Sequence, residues 1–205
     1  MERIAGRIRV FVGDMCRLEC HGLVNCANEK GLGGGGLDGA VHAAAGPELL
    51  QECYLLQGIP TGTAKLTYGY RLPARWVLHA VGPRGEQPAL LVKTYANALN
   101  EAKKAGIRSL AIPCISTGIF GYPQHPACKV ALTVITAFLK RNPIPEVRRR
   151  RTNCSQNYIK HIPGCCSLLQ REQRWGRVQK RAQSKTKSAL RLLDLVLLLG
   201  MQILM

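Results

Sequence analysis

The sequence predicts a three-layer α/β/α domain: helices on both faces of a mixed, mostly parallel central sheet that lacks its last strand and helix. Three observations lead there. Short apolar runs alternate with helical stretches across residues 8–139, the order that builds a sheet covered by helices. Two glycine-bearing loops each lie between the end of a strand and the start of a helix. The alternation then stops where one more apolar strand is due, and a basic segment follows.

Taken in order, residues 8–12 form a β-branched run followed by Gly13-Asp14, and residues 22–24 form the next strand, leading into the first glycine loop. Residues 37–45 and 47–57 read as two helices separated by Gly46-Pro47, with Pro47 at a helix start where its missing N–H is harmless. Residues 58–62 are a turn. Residues 64–70 and 76–81 are two strands split at Leu72-Pro73, residues 90–105 a helix ended by Gly106, residues 110–114 a buried strand and residues 123–139 a helix.

The stretch Gly33-Gly34-Gly35-Gly36 cannot be there for packing, since glycines carry no side chain and cost backbone entropy to order. Bare N–H groups at a helix start, where the dipole favours anions, make a phosphate cradle. The same residues satisfy G-x-G-x-x-G from Gly31, but Glu48 and Glu52 fall inside a helix rather than at the end of a second strand. A Walker A loop fails outright, with Asp38 and Gly39 where Lys and Ser/Thr are needed. Asp38 beside the cradle has two readings that the residues leave open. It caps the following helix, or it is a base whose affinity for protons is raised by neighbouring phosphates and which acts on a water.

A second loop, Ile115-Ser116-Thr117-Gly118-Ile119-Phe120-Gly121-Tyr122-Pro123, repeats this logic after the strand at 110–114. Two such loops at the carboxyl ends of strands would hold a pyrophosphate from both sides. Phe120 between them either covers a sugar or fills the core.

Charge divides the chain. Residues 148–205 hold 13 of the 29 Lys and Arg and 2 of the 12 Asp and Glu, a net +11 that leaves +6 for residues 1–147. The chain is thus expected to comprise a domain over 1–147 and a basic, disordered tail over 148–205 with a short apolar end. Residues 195–205 are 11 residues long, against the ~20 that cross a membrane, so no membrane partner is expected. Nucleic-acid contact by the tail is weakly supported, since only Tyr158 and Trp175 interrupt its basic residues. Nine cysteines at irregular spacing suit a reducing compartment, cytoplasmic and/or nuclear. Cys16/Cys20 and Cys165/Cys166 lack companions at zinc-site spacing, so no metal is expected.

Several ordered motifs together carry a resemblance. They include Val12-Gly13-Asp14, Val24-Asn25-Cys26-Ala27-Asn28, Gly33 to His42, Ala44-Ala45-Gly46, Gly69-Tyr70, His79-Ala80-Val81-Gly82-Pro83 and Ile115 to Pro123. Over about residues 6–140 the chain resembles a macrodomain of the MacroD type. The resemblance implies an ADP-ribose-binding fold. It also implies hydrolysis of mono-ADP-ribose from acidic side chains of proteins and deacetylation of O-acetyl-ADP-ribose, with no cofactor. The partners it implies are ADP-ribose, O-acetyl-ADP-ribose and mono-ADP-ribosylated proteins. A non-catalytic reader and an inactive truncated isoform are the rival readings.

Carried over residue by residue, the resemblance gives Asp14 the adenine amino group, with Met15 beside it. Asn28 holds hydroxyls of the distal ribose, and Asn25 fixes the geometry of the strand end. The N–H groups of Gly35, Gly36 and Leu37, and of Ser116, Thr117, Gly118, Ile119 and Phe120, bind the two phosphates, with Phe120 packed on the distal ribose. Asp38 positions or deprotonates the water, and His42 and His79 serve as structural groups. The chain departs from the family at Cys26, where Ala is usual, and after Leu139, where the last strand and closing helix are expected.

Overall fold

A computed structural model describes residues 7–11 and 13–142, together with the backbone of 202–204. The elements are β1 (Arg9–Phe11), a 3-10 turn (Met15–Arg17), β2 (Gly22–Cys26), α1 (Leu37–Ala45), α2 (Pro47–Leu55), β3 (Ala64–Tyr68), β4 (Trp76–Ala80), α3 (Pro88–Lys104), β5 (Leu110–Ile112), α4 (Gln124–Arg141) and β6 (Gln202–Leu204). The sheet order is β1-β6-β5-β2-β4-β3. β2 lies parallel to both β4 and β5, while β3 runs antiparallel to β4. The short link from β3 to β4 explains that reversal, because a parallel neighbour would need a crossover of a dozen residues or more.

Side chains alternate between the two faces of the sheet, as the pleat requires. Leu23, Val77 and Ala111 point to one side and pack with Val41 and Ala45 of α1 and Leu49 and Cys53 of α2. Val24, Leu78, Leu110 and Ile112 point to the other and pack with Leu91, Tyr95 and Leu99 of α3 and Ala127, Ala131 and Ile135 of α4. Strands covered on both faces read as continuous apolar runs, which is why they were visible in the sequence. No helix among the described residues is long and apolar enough to cross a membrane.

The far end of the chain departs from expectation at three residues. Gln202–Leu204 lies between β1 and β5, antiparallel to each, with Ile203 opposite both Val10 and Ile112. The sequence had suggested that nothing beyond Leu139 joins the sheet. β1 and β5 flank a gap in which each offers a row of unpaired N–H and C=O groups, and a strand placed between them satisfies both rows at once. No closing helix follows α4 among the described residues. The expectations for the basic stretch of the tail fall on residues 143–201, outside the described residues.

Candidate functional site

β2, β4 and β5 end on the same side of the sheet, and a cleft of about 430 Å³ opens there. Its walls include Asn28, residues 35–38, Gly82, Arg84 and residues 113–120. The carboxyl ends of parallel strands are where open α/β sheets hold ligands. The two loops singled out in the sequence therefore face each other across one opening.

The first loop is held in shape by Asn28. Its Nδ2 donates to the Gly33 carbonyl (2.9 Å), and its Oδ1 accepts from the amides of Lys30 and Gly31 (3.0 and 3.1 Å). Gly36 is the N-cap of α1 at φ 62°, ψ −135°, with no side-chain capping bond. Only glycine enters that region freely. Gly39, in the first turns of α1, passes so close to the loop that a Cβ there would lie 2.4 Å from the Gly34 oxygen. Loop and helix are thus locked together, and the amides of Gly35, Gly36 and Leu37 have no acceptor among the described residues.

Asp38 is not the helix cap that one reading of the sequence allowed, because it sits inside the first turn and its carboxylate is used elsewhere. It is 3% exposed. Oδ1 accepts from Asn25 Nδ2 at 2.7 Å and lies 3.6 Å from His42 Nε2, whereas Oδ2 is buried with no hydrogen-bond partner. Burial raises the proton affinity of this carboxylate above the usual carboxylate range, opposed by the Asn25 bond and then by His42.

Behind Asp38 runs a buried relay that the sequence could not show. Asn25 Nδ2 also reaches His79 Nδ1 (3.2 Å), and because an amide nitrogen only donates, Nδ1 must accept. The proton of His79 then sits on Nε2, 2.9 Å from Thr67 Oγ1, whose hydroxyl donates to the Tyr68 carbonyl (3.2 Å). Burial pushes His79 down to about 3, so the ring is neutral across the physiological range. His42, Cys53 and His79 bring three potential metal-ligand atoms within 4.8 Å. Both His79 nitrogens are already hydrogen-bonded, and burial pushes the Cys53 thiol up to about 12, so the arrangement suits a hydrogen-bond network better than an ion.

The second loop is braced from outside. Tyr95 of α3 is fully buried; its hydroxyl donates to the Pro113 carbonyl (3.2 Å) and accepts from the Ile115 amide (2.9 Å). Ser116 adopts φ 68°, a left-handed conformation costly for a residue with a Cβ. The Ser116 carbonyl accepts from Tyr122, and Gly121 donates to Gly118 (both 2.9 Å). The amides of Gly118, Ile119 and Phe120 have no acceptor among the described residues. Arg84, which no motif flagged, lies over the Phe120 ring at 4.2 Å, and the Gly85 amide donates to the Phe120 carbonyl at 2.7 Å.

The expected site residues thus fall into two groups. Asn28, Gly35, Gly36, Leu37, Asp38, Ser116, Thr117, Gly118, Ile119 and Phe120 line the cleft, with Asn25 directly behind it. Asp14 and Met15 are not among the lining residues. The Asp14 carboxylate caps the 3-10 turn by accepting from the Cys16 amide (2.9 Å) and pairs with Arg17 (3.4 Å), while Met15 is buried.

Residues 24–131 match the family model for the Macro domain. The chain belongs to the macro domain family. Among its relatives, a macro domain-containing protein of Methanosarcina mazei is 46% identical over 152 residues, covering 71% of this chain and 81% of that protein. The Xenopus laevis protein named ADP-ribose glycohydrolase MACROD2 is 49% identical over 142 residues, which are 66% of this chain but only 34% of that protein. The Trypanosoma brucei macrodomain, solved in complex with ADP-ribose, superposes with a TM-score of 0.60 at 50% identity, covering 60% of this chain and 53% of that one. The macro domain fold expected from the sequence is the fold observed.

Proposed function

We propose that this macro domain is an ADP-ribosyl-ester hydrolase that removes mono-ADP-ribose from acidic side chains of proteins and also deacetylates O-acetyl-ADP-ribose. Cleavage of the protein ester consumes one water and yields ADP-ribose and the free carboxylic acid. The relatives named ADP-ribose glycohydrolases and the macrodomain solved with ADP-ribose support the ligand class. The observation that carries the chemistry is Asp38 Oδ2, a buried carboxylate oxygen without a partner on the wall of the cleft. A buried acceptor left unpaired is costly in a purely structural role, and a carboxylate of raised proton affinity suits general-base work on water.

In this reading the amides of Gly35, Gly36 and Leu37, and those of residues 116–120, bind the pyrophosphate. Phe120 packs on the distal ribose, Asn28 orients its hydroxyls, and Asp14, which lies outside the lining of the cleft, meets the adenine. Asn25 keeps Oδ1 of Asp38 engaged so that Oδ2 is the oxygen offered to water. The test is incubation with a glutamate-ADP-ribosylated protein, and separately with O-acetyl-ADP-ribose, following loss of label and of acetyl. Release of both supports the assignment. Tight binding of free ADP-ribose with the modified protein left intact would make the domain a reader instead.

A further inference from the structure

The polar groups behind Asp38 form one chain to which β2, β4 and β3 each contribute a residue. Asn25, His79 and Thr67 are all buried. Asn25 Oδ1 has no hydrogen-bond partner among the described residues. The rotation of this amide is therefore set by the two bonds of Nδ2, to Asp38 Oδ1 at 2.7 Å and to His79 Nδ1 at 3.2 Å. The reverse orientation would turn a carbonyl oxygen toward an ionised carboxylate. His79 accepts from Asn25 only while its proton is on Nε2, since a proton on Nδ1 would face an N–H of the amide. On the far side of the ring, Thr67 Oγ1 lies 2.9 Å from Nε2 and donates its own proton to the Tyr68 carbonyl at 3.2 Å, which leaves its lone pairs to the ring N–H. Cys53 Sγ, 3.7 Å from Nε2, is the weaker acceptor there.

We propose that Thr67 and His79 are positioning residues for Asp38: Thr67 holds the His79 tautomer that anchors Asn25, and Asn25 in turn keeps Asp38 Oδ1 engaged and leaves Oδ2 for the water. The proposal rests on the hydrolase reading above and extends the alignment of its base to β3, the edge strand of the sheet. Neither Thr67 nor His79 lines the cleft, so their influence on the reaction passes through Asn25. Apolar side chains could fill the same space without leaving polar groups to be satisfied; what they could not supply is a fixed direction for the bond to Asp38. Burial raises the proton affinity of Asp38, and the Asn25 bond is the larger of the two influences opposing it, so loosening that bond raises the affinity further. The titratable groups around Asp38 are His42 on its own helix, Cys26 on β2 and Cys53 on α2, with His79 on β4 behind Asn25. A substitution at Thr67 leaves all four in place.

Ester hydrolysis by the full chain is followed against pH for the wild type, Thr67→Val and Thr67→Ser, with ADP-ribose affinity and melting temperature measured on the same preparations. Thr67→Val keeps the shape of the side chain and removes the acceptor of the ring N–H; Thr67→Ala takes its place should the valine variant not fold. The expected result is a kcat lower by about tenfold, the size of one lost hydrogen bond in the barrier. ADP-ribose affinity should be unchanged, and the acid limb of the pH profile should move to higher pH. Thr67→Ser, which retains the hydroxyl, should recover both kcat and the limb. A lower melting temperature with wild-type kcat and an unmoved acid limb would overturn the proposal and make the chain a stabilising network only, as would a loss that Thr67→Ser does not recover. Nitrogen NMR of the imidazole reads the tautomer directly: Nε2–H is expected in the wild type, with Nδ1–H gaining in Thr67→Val. A wild-type ring protonated on Nδ1 would also overturn the proposal. A wild type that cleaves neither ester sinks the hydrolase reading instead; the imidazole spectra, with the Asp38 carboxyl titration followed by carbon NMR, still decide whether Thr67 governs the arrangement.

Discussion

Residues 31–36 reach α1 on glycines, whereas residues 113–120 carry side chains at every position but Gly118 and are held by neighbours outside the loop. In the first loop, shape follows from missing Cβ atoms and from the adjoining Asn28 side chain: Gly36 takes a positive φ, Gly39 lets the helix pass against the Gly34 carbonyl, and Asn28 bonds Gly33 and Gly31. In the second, Ser116 takes a similarly unusual φ despite its side chain, and the surroundings enforce it through Tyr95, Tyr122 and the Arg84–Phe120 contact. The difference predicts where each loop is fragile. The first should tolerate changes in distant elements but not within itself. The second should respond to substitutions outside itself, in α3 or just after β4.

The comparison is sharpened most by Asp38→Ala, the substitution at the junction of the first loop and α1. Turnover should fall by about 10²–10⁴-fold, the worth of general-base assistance. ADP-ribose affinity should stay level or improve, because the backbone amides remain and a negative charge near the phosphates is gone. Single-turnover ester hydrolysis and calorimetry on one preparation measure both. Wild-type turnover in the variant would end the catalytic assignment.

Tyr95→Phe tests the second loop from a distance. It strips the partner from the buried Pro113 carbonyl and Ile115 amide, which should cost about 1–3 kcal/mol. Part of that loss should appear in ADP-ribose affinity, although Tyr95 is not a lining residue of the cleft. Equilibrium unfolding in urea together with calorimetry would show it, and an unchanged affinity would mean that the loop keeps its shape without this brace.

A smaller effect is expected at Arg84. It is well exposed, so Arg84→Ala should lose about 0.5–1 kcal/mol of ligand affinity through the cation–π contact that holds Phe120. Arg84→Lys should recover part of it. A loss confined to KM, with kcat unchanged, would assign the residue to positioning.

The last prediction has the opposite sign. The folded-state pKa of Asp38 is raised by burial, so its protonated form favours the fold below the unfolded pKa of ~3.9, and that contribution is lost as pH rises through the folded pKa. Asp38→Asn, which can still accept from Asn25, should therefore raise Tm at pH 7.5, and the gain should shrink toward pH 4.5. Hydrolysis by the wild type should fall on the acid side at a pH above the ordinary carboxylate range. A Tm difference independent of pH would show that the carboxylate is not held at a cost.

Much of this is legible in the sequence alone. The Ala-rich stretch at residues 37–45 predicts a helix, and α1 has those bounds. The strand at 64–70 ends two residues early, at Tyr68, where Gly69 turns the chain so tightly that a Cβ would collide with the Ala74 carbonyl. His79 was visible only as a histidine in an apolar strand. Its partners, Asn25 on β2 and Thr67 on β3, lie 54 and 12 residues away and meet it only because β4 runs between those strands.

The sequence by itself determined the layering, the two loops and the cleft's location. Alternating apolar runs fix which faces must be buried, and consecutive glycines before a helix leave amides free whatever surrounds them. Only the tertiary structure decided what Asp38 does, which residues brace the second loop and what fills the gap between β1 and β5. Those outcomes depend on pairs apart in the chain: Asn25 against Asp38, Tyr95 against Ile115 and Cys114 against Cys128. Local propensity does not encode such meetings; they arise when the pleat and the helix packing bring the partners into one buried space, where each unpaired polar group is costly enough to select its neighbour.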